Sequence, residues 1–237
     1  MLKEQDSEYN MGTFYSPPII HDGLVFCVDA KNTKSYPGSG TTWFDLAGSN
    51  NGTMTNGASF DSTGGGCINF DGTNDYVTLG NDTSLELQNL SISVWFNLDT
   101  LETDKDFYSS AADNGRNGYR FGTTTSNEIL WLIGDASGYN LKVSSGFSNS
   151  TGQWRCVTVT YDSSNLKIYI EGSLNVTESA TKTITHANPI AIGDRGGDIG
   201  NDNGIDGKIA IVQVYNRALS ASEVLQNFNA QRNRFGI

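Results

Sequence analysis

The sequence predicts an all-β fold: an antiparallel two-sheet β-sandwich closed by one short C-terminal helix. Three observations carry this. Between Ser91 and Leu98 the side chains alternate, Ile92, Val94, Phe96 and Leu98 against Ser91, Ser93, Trp95 and Asn97, which is the two-residue period of a strand with one core face. Hydrophobic residues make up only 37% of the 237, and Gly, Asn, Ser and Thr fill the gap, as many short strands joined by many turns require. Ser220 is followed three residues later by Glu223, a pairing that satisfies the orphan amides of a helix start. Leu219, Val224, Leu225 and Phe228 then give that helix one apolar face to lay on a sheet.

In chain order, Met1 to Ile20 reads as an arm outside the sandwich, because Pro17-Pro18 can continue neither a helix nor a central strand. The domain is expected over 21–237. Leu24 to Ala30 is a dense apolar strand. Tyr36 to Phe60 is punctuated by Pro37-Gly38, Asn51-Gly52 and Asn56-Gly57, which predicts a long patterned loop with short strands. Gly64-Gly65-Gly66 lacks the helix and the lysine of a phosphate cradle and reads as a permissive turn before the strand Cys67 to Phe70. Leu130 to Ile133 and Leu141 to Val143 are strand candidates around a turn. Arg155 to Tyr161 and Leu166 to Ile170 form a hairpin across Asp162-Ser163-Ser164-Asn165. Ile190 to Ile192 precedes an acidic loop, Asp194 to Asp206, and Ile209 to Val214 is a closing core strand that leads to the helix over Ser220 to Gln231.

The formal charge of −11 disfavours nucleic acid and anionic membranes as partners, and no apolar run is long enough to insert in a bilayer. The first residues lack the apolar core of a secretory signal. Cys27, Cys67 and Cys156 are an odd number set among strand-like residues, which predicts buried thiols and no disulfide framework.

Several segments together resemble a known family. Phe70-Asp71-Gly72 with Asp75-Tyr76-Val77, Ser91 to Phe96, Trp154 with Val157 to Asp162, Lys167 to Gly172, and Ile209 to Leu219 are similar, in order, to the motifs of laminin-G-like, concanavalin A-like lectin/glucanase domains. The resemblance implies a concanavalin A-like jelly roll. It does not settle the task. Glucanases of this type carry paired carboxylates on a strand, and the nearest run, Glu102-Thr103-Asp104-Lys105-Asp106, departs from that spacing, so the chain reads as no enzyme. Such domains often hold one calcium ion at the rim, and Asp194, Asp198, Asp202 and Asp206 are the candidate ligands, with Asp71 and Asp75 as alternatives. Loop aromatics Tyr36, Trp43, Tyr108, Tyr119 and Tyr139 are candidates for stacking a pyranose of a cell-surface carbohydrate. Gly23 to Ala30 and Tyr36 to Trp43 also resemble laminin-G-like modules of bacteriophage virion structural proteins. This implies a non-catalytic structural protein, made in the host cytoplasm and displayed on the virion surface, attached to other virion proteins through the arm and open to homo-oligomerisation. The alternative is an extracellular bacterial carbohydrate-binding or adhesion protein.

Overall fold

The computed structural model describes residues 16–111, 117–135, 139–186, 189–199 and 203–237, with backbone alone at 139–147. The strands are β1 (Leu24–Asp29), β2 (Thr42–Trp43), β3 (Gly52–Thr55), β4 (Ser59–Asp61), β5 (Cys67–Asp71), β6 (Tyr76–Gly80), β7 (Leu90–Leu98) and β8 (Asp106–Ser109). They continue as β9 (Asn117–Thr123), β10 (Glu128–Asp135), β11 (Tyr139–Ser148), β12 (Arg155–Tyr161), β13 (Asn165–Ile170), β14 (Ser173–Ser179), β15 (Ile190–Ile192) and β16 (Asp206–Tyr215), followed by helix α1 (Ala221–Gln231). The first sheet has the order β14-β13-β12-β7-β16-β5-β4, with β1 also on β16; the second runs β11-β10-β9-β8-β15-β6-β3-β2. The ladders are antiparallel. This is the predicted two-sheet sandwich with one short helix. Among the described residues no helix is long and apolar enough to cross a membrane.

Alternation builds the core. Ile92, Val94, Phe96 and Leu98 of β7 point between the sheets, as their period predicts, and meet Phe107, Phe121, Ile129 and Trp131 of the second sheet. Phe96 stacks on Phe107 at 4.2 Å, and the Trp131 indole N–H donates across the sandwich to the Thr160 carbonyl at 3.0 Å. That bond lets a polar aromatic be buried without an unpaired donor.

The opposite face of β7 carries Trp95, which is fully buried beneath α1. It stacks on Phe235 at 4.1 Å and Phe228 at 5.8 Å, and its Nε1 donates to Gln231 Oε1 at 2.8 Å. Ser220 and Glu223 form the expected capping box, reinforced by a paired contact of Arg217 with Glu223 at 2.7 and 3.0 Å. Tyr215, Leu219 and Val224 extend the seal, with Ile20 and Leu24 packed against them. Of the expected arm, residues 1–15 lie outside the described part. Residues 16–20 run along α1: Gln226 Nε2 donates to Pro18 O at 2.9 Å, Asn227 Oδ1 accepts from Ile20 N at 2.8 Å, and Tyr215 Oη donates to Ile20 O at 3.0 Å. The outer face of the first sheet is therefore closed by α1 and this segment.

Candidate functional site

The aromatic candidates fall differently from expectation. Trp43, Tyr108 and Tyr119 are fully buried and Tyr36 nearly so, so none offers a free ring face to a sugar. Tyr108 and Tyr119 belong to strands β8 and β9 rather than to loops; their rings stack at 5.9 Å inside the sandwich, and Tyr119 Oη donates to Leu85 O at 3.3 Å. Tyr36 packs on Phe60 at 5.2 Å and donates to Gly40 O at 3.0 Å. Tyr139 begins β11, and its side chain lies outside the description.

The acidic candidates are dispersed. Asp194 is buried, with Oδ1 accepting from the Arg195 amide at 2.7 Å. Asp198 sits in a short 3-10 turn, Asp206 opens β16 opposite Asp71, and Asp202 lies outside the described residues. Among the described residues, no three His, Cys, Asp or Glu side chains converge as a metal site. Asp75 differs. Its Oδ2 accepts from Asp71 N at 3.1 Å, while its buried Oδ1 has no hydrogen-bond partner among the described residues. Gly57 makes room for that oxygen, since a Cβ there would lie 2.7 Å from it. Burial first, and the neighbouring Asp71 second, push the Asp75 carboxyl above its ordinary pKa.

The register of the second sheet assembles a surface that local sequence does not display. Thr42 pairs with Thr53, Thr53 with Thr78, Thr78 with Ala191, Ala191 with Ser109, Ser109 with Arg120 and Arg120 with Leu132. These residues form one transverse row on the outer face, because their neighbours Trp43, Met54, Val77, Ile192, Tyr119, Phe121 and Trp131 are in the core. Thr55 pairs with Tyr76 in the adjoining row. At this end the face is partly open: Thr53 is exposed, and Thr42, Thr55, Tyr76 and Thr78 are half-buried. A half-buried tyrosine ring among threonine hydroxyls offers stacking and hydrogen bonding to a polyol.

At β8 and β15 the 194–199 segment folds back over the row. Gly196 touches the sheet so closely that a Cβ would lie 2.1 Å from Pro189 O and 2.4 Å from Ser109 O, both backbone atoms. The preceding residue, Arg195, is thereby placed beside Arg120. Asp106, fully buried, accepts from Arg120 Nη2 at 2.7 Å and from Arg195 Nε at 3.1 Å. Asp104 bridges the same guanidiniums from the solvent side, Oδ1 to Arg120 Nη2 at 2.9 Å and Oδ2 to Arg195 Nη2 at 3.0 Å. Burial opposes ionisation of Asp104, but the Arg120 and Arg195 contacts outweigh it and hold the carboxyl below its usual pKa.

These contacts also bear on catalysis. In the Glu102 to Asp106 run, both aspartates are committed to arginines and Glu102 to Lys105 at 2.7 Å. Burial pushes the thiols of Cys27, Cys67 and Cys156 up to about 12, which leaves them protonated and unreactive at neutral pH. His186 is lowered by burial and contacts the Leu87 carbonyl at 3.2 Å.

Known structures share this architecture. The binding domain of Paraclostridial Mosquitocidal Protein 1 is similar with TM-score 0.70 and 18% identity over 89% of this chain and 52% of that one. Domain 4 of AbnA, an extracellular GH43 arabinanase of Geobacillus stearothermophilus solved with arabinotriose, gives TM-score 0.66 and 18% identity over 86% and 97%. Botulinum neurotoxin type C, whose cell entry depends on two ganglioside molecules, gives TM-score 0.66 and 15% identity over 90% and 52%. The chain thus spans about half the length of the toxin structures it matches. At these identities the likeness establishes the fold. No curated protein matches the sequence. The sequence profile of one family does match, over residues 71–225, and the chain belongs to the concanavalin A-like lectin/glucanases superfamily.

Proposed function

We propose that this protein is a non-catalytic carbohydrate-binding module whose ligand lies on the outer face of the second sheet, displayed on a virion surface and attached through its N-terminal segment. The observation that carries the reading is the asymmetry of the sandwich. One outer face is sealed by α1 and residues 16–20, while the other presents the Thr42, Thr53, Thr55, Tyr76 and Thr78 strip. The chain enters on the sealed side, so attachment there leaves the hydroxyl-lined face directed away from the attachment point. Similarity to a sugar-complexed arabinanase domain, nearly all of which this chain covers, supports carbohydrate as the ligand class. That similarity equally supports the second reading, an extracellular bacterial carbohydrate-binding protein, which differs in attachment and not in the face used.

A glycan array probed with the full chain tests the proposal, with and without a calcium chelator. Binding that is lost in Tyr76→Ala and Thr78→Ala while melting is unchanged supports the face. Binding that survives both substitutions removes it, and loss of binding on chelation assigns calcium a place in the site.

A further inference from the structure

Asp104 is the unusual member of the arginine cluster. Its side chain is 47% exposed, whereas those of Arg120 and Arg195 are 8% and 2% exposed. Its backbone sits at φ +61°, in the left-handed region that aspartate and asparagine enter more readily than other non-glycine residues. The fully buried Asp106 neutralises the arginines from below. Asp104 contributes the second carboxylate from a position that water reaches, and its two oxygens span the two Nη2 donors.

We propose that Arg120 and Arg195 form a subsite for the carboxylate of a sugar acid, uronic or sialic, and that Asp104 is the resident carboxylate this ligand displaces. The proposal rests on the carbohydrate reading above and names the ligand class. Exchange of one carboxylate for another conserves both the charge balance of the buried pair and its donor–acceptor count. A neutral hydroxyl conserves neither. Arg120 also lies in the same transverse row as Thr78, about 14 Å away at the usual strand spacing, which is the span of a short oligosaccharide. Ala191 and Ser109, between them in the row, are buried beneath the 194–199 segment, so an acidic unit approaches the arginines from the exposed Asp104 side and not along the row. Because Asp104 competes intramolecularly, at an effective concentration on the order of millimolar, a free monosaccharide acid binds the wild-type chain weakly.

The experiment compares wild type, Asp104→Gly and Asp104→Asn by thermal melting and by titration calorimetry with sodium glucuronate, sodium acetate, glucose and sodium chloride. Glycine suits the left-handed backbone, so that variant removes the carboxylate without adding strain there, and its loss of stability beyond the unfolded-chain entropy of glycine reports the missing carboxylate. Asparagine also tolerates this conformation and serves if the glycine variant does not fold. The expected result is a lowered melting temperature that millimolar glucuronate restores and equimolar glucose or chloride does not, with glucuronate binding at least about tenfold tighter than to wild type. Equal responses to glucuronate, glucose and chloride overturn the subsite. On the glycan array, binding of neutral glycans with no gain for acidic ones in Asp104→Gly overturns the subsite and leaves the carbohydrate face standing. Rescue by acetate as effective as by glucuronate, with no glycan bound, overturns the sugar assignment and the carbohydrate reading together.

Discussion

Replacing Trp95 by alanine separates the packing role of an aromatic on a β-sheet face from a ligand-binding one. Trp95 is completely buried between the first sheet and α1, with Phe235 at 4.1 Å, Phe228 at 5.8 Å and an indole bond to Gln231. Truncation of a fully buried tryptophan to alanine costs about 3–5 kcal/mol, through lost transfer energy and an unfilled cavity. In a domain of this size each kcal/mol lowers Tm by roughly 2–4 °C, so Trp95→Ala is expected to melt about 6–20 °C below wild type. Trp95→Phe keeps much of the stack and loses the indole donor, for a net loss of about 0.5–1.5 kcal/mol from the hydrogen bond plus a partial cavity. Gln231 can turn its freed oxygen to water. Melting followed by far-UV circular dichroism, with urea titration at fixed temperature, measures both variants. A double cycle with Phe235→Ala isolates the stacking, for which contacting residues couple by roughly 0.5–3 kcal/mol. If Trp95→Ala melts within about 2 °C of wild type, α1 does not bury this face; unchanged melting with abolished glycan binding makes Trp95 a ligand residue instead.

Other outcomes follow from the same contacts. Ser220→Ala removes the helix cap and is expected to cost about 1 kcal/mol by denaturant titration. Arg217 first, then the Ser220 contacts, hold the Glu223 carboxyl at about 2 against an ordinary 4.5. Its stabilisation is therefore complete above pH 4.5 and lost as pH falls toward 2, and Arg217→Ala flattens that limb of a Tm-against-pH curve. Asp75 has the opposite sign: its raised pKa means stability is lost as pH climbs above its ordinary 3.8. Asp75→Asn is expected to raise Tm at pH 7, with the gain vanishing below pH 3.8. Gly196→Ala forces the 194–199 segment off the sheet backbone and is expected to destabilise by about 1–3 kcal/mol, with loss of any acidic-glycan preference. Deleting residues 1–15 is expected to leave Tm unchanged and to abolish incorporation into particles; unchanged incorporation places attachment on the sandwich itself.

What the sequence displays and what it hides differ for a physical reason. Strand β7, the β12–β13 hairpin, β16 and α1 each carry their signal within a few consecutive residues: a period of two, a turn tetrad, a capping pair. Strands β8 and β9 do not. In β8 a register shift between Asp106 and Tyr108 leaves consecutive Phe107 and Tyr108 both in the core, which erases the alternation. In β9, Gly118 and Gly122 lie within the strand and imitate loop composition, so Tyr119 reads as a loop aromatic although its neighbour pattern of Tyr119, Phe121 and Thr123 is that of an inward face. The alternation of Thr53 and Thr55 about Met54, and of Tyr76 and Thr78 about Val77, is the local trace of the open strip. The strip itself, and the arginine pair in line with it, run across the chain direction. Thr42, Thr53, Thr78, Ala191, Ser109 and Arg120 come from six strands, and only the pairing register makes them neighbours. Arg195 is the clearest instance. It lies in a loop whose four aspartates suggest a cation, yet the close approach of Gly196 to the Ser109 backbone turns the same loop into the support of a guanidinium. The charge that matters at this site is thus set by one glycine contact and one register, neither of which leaves a mark in the composition of the loop.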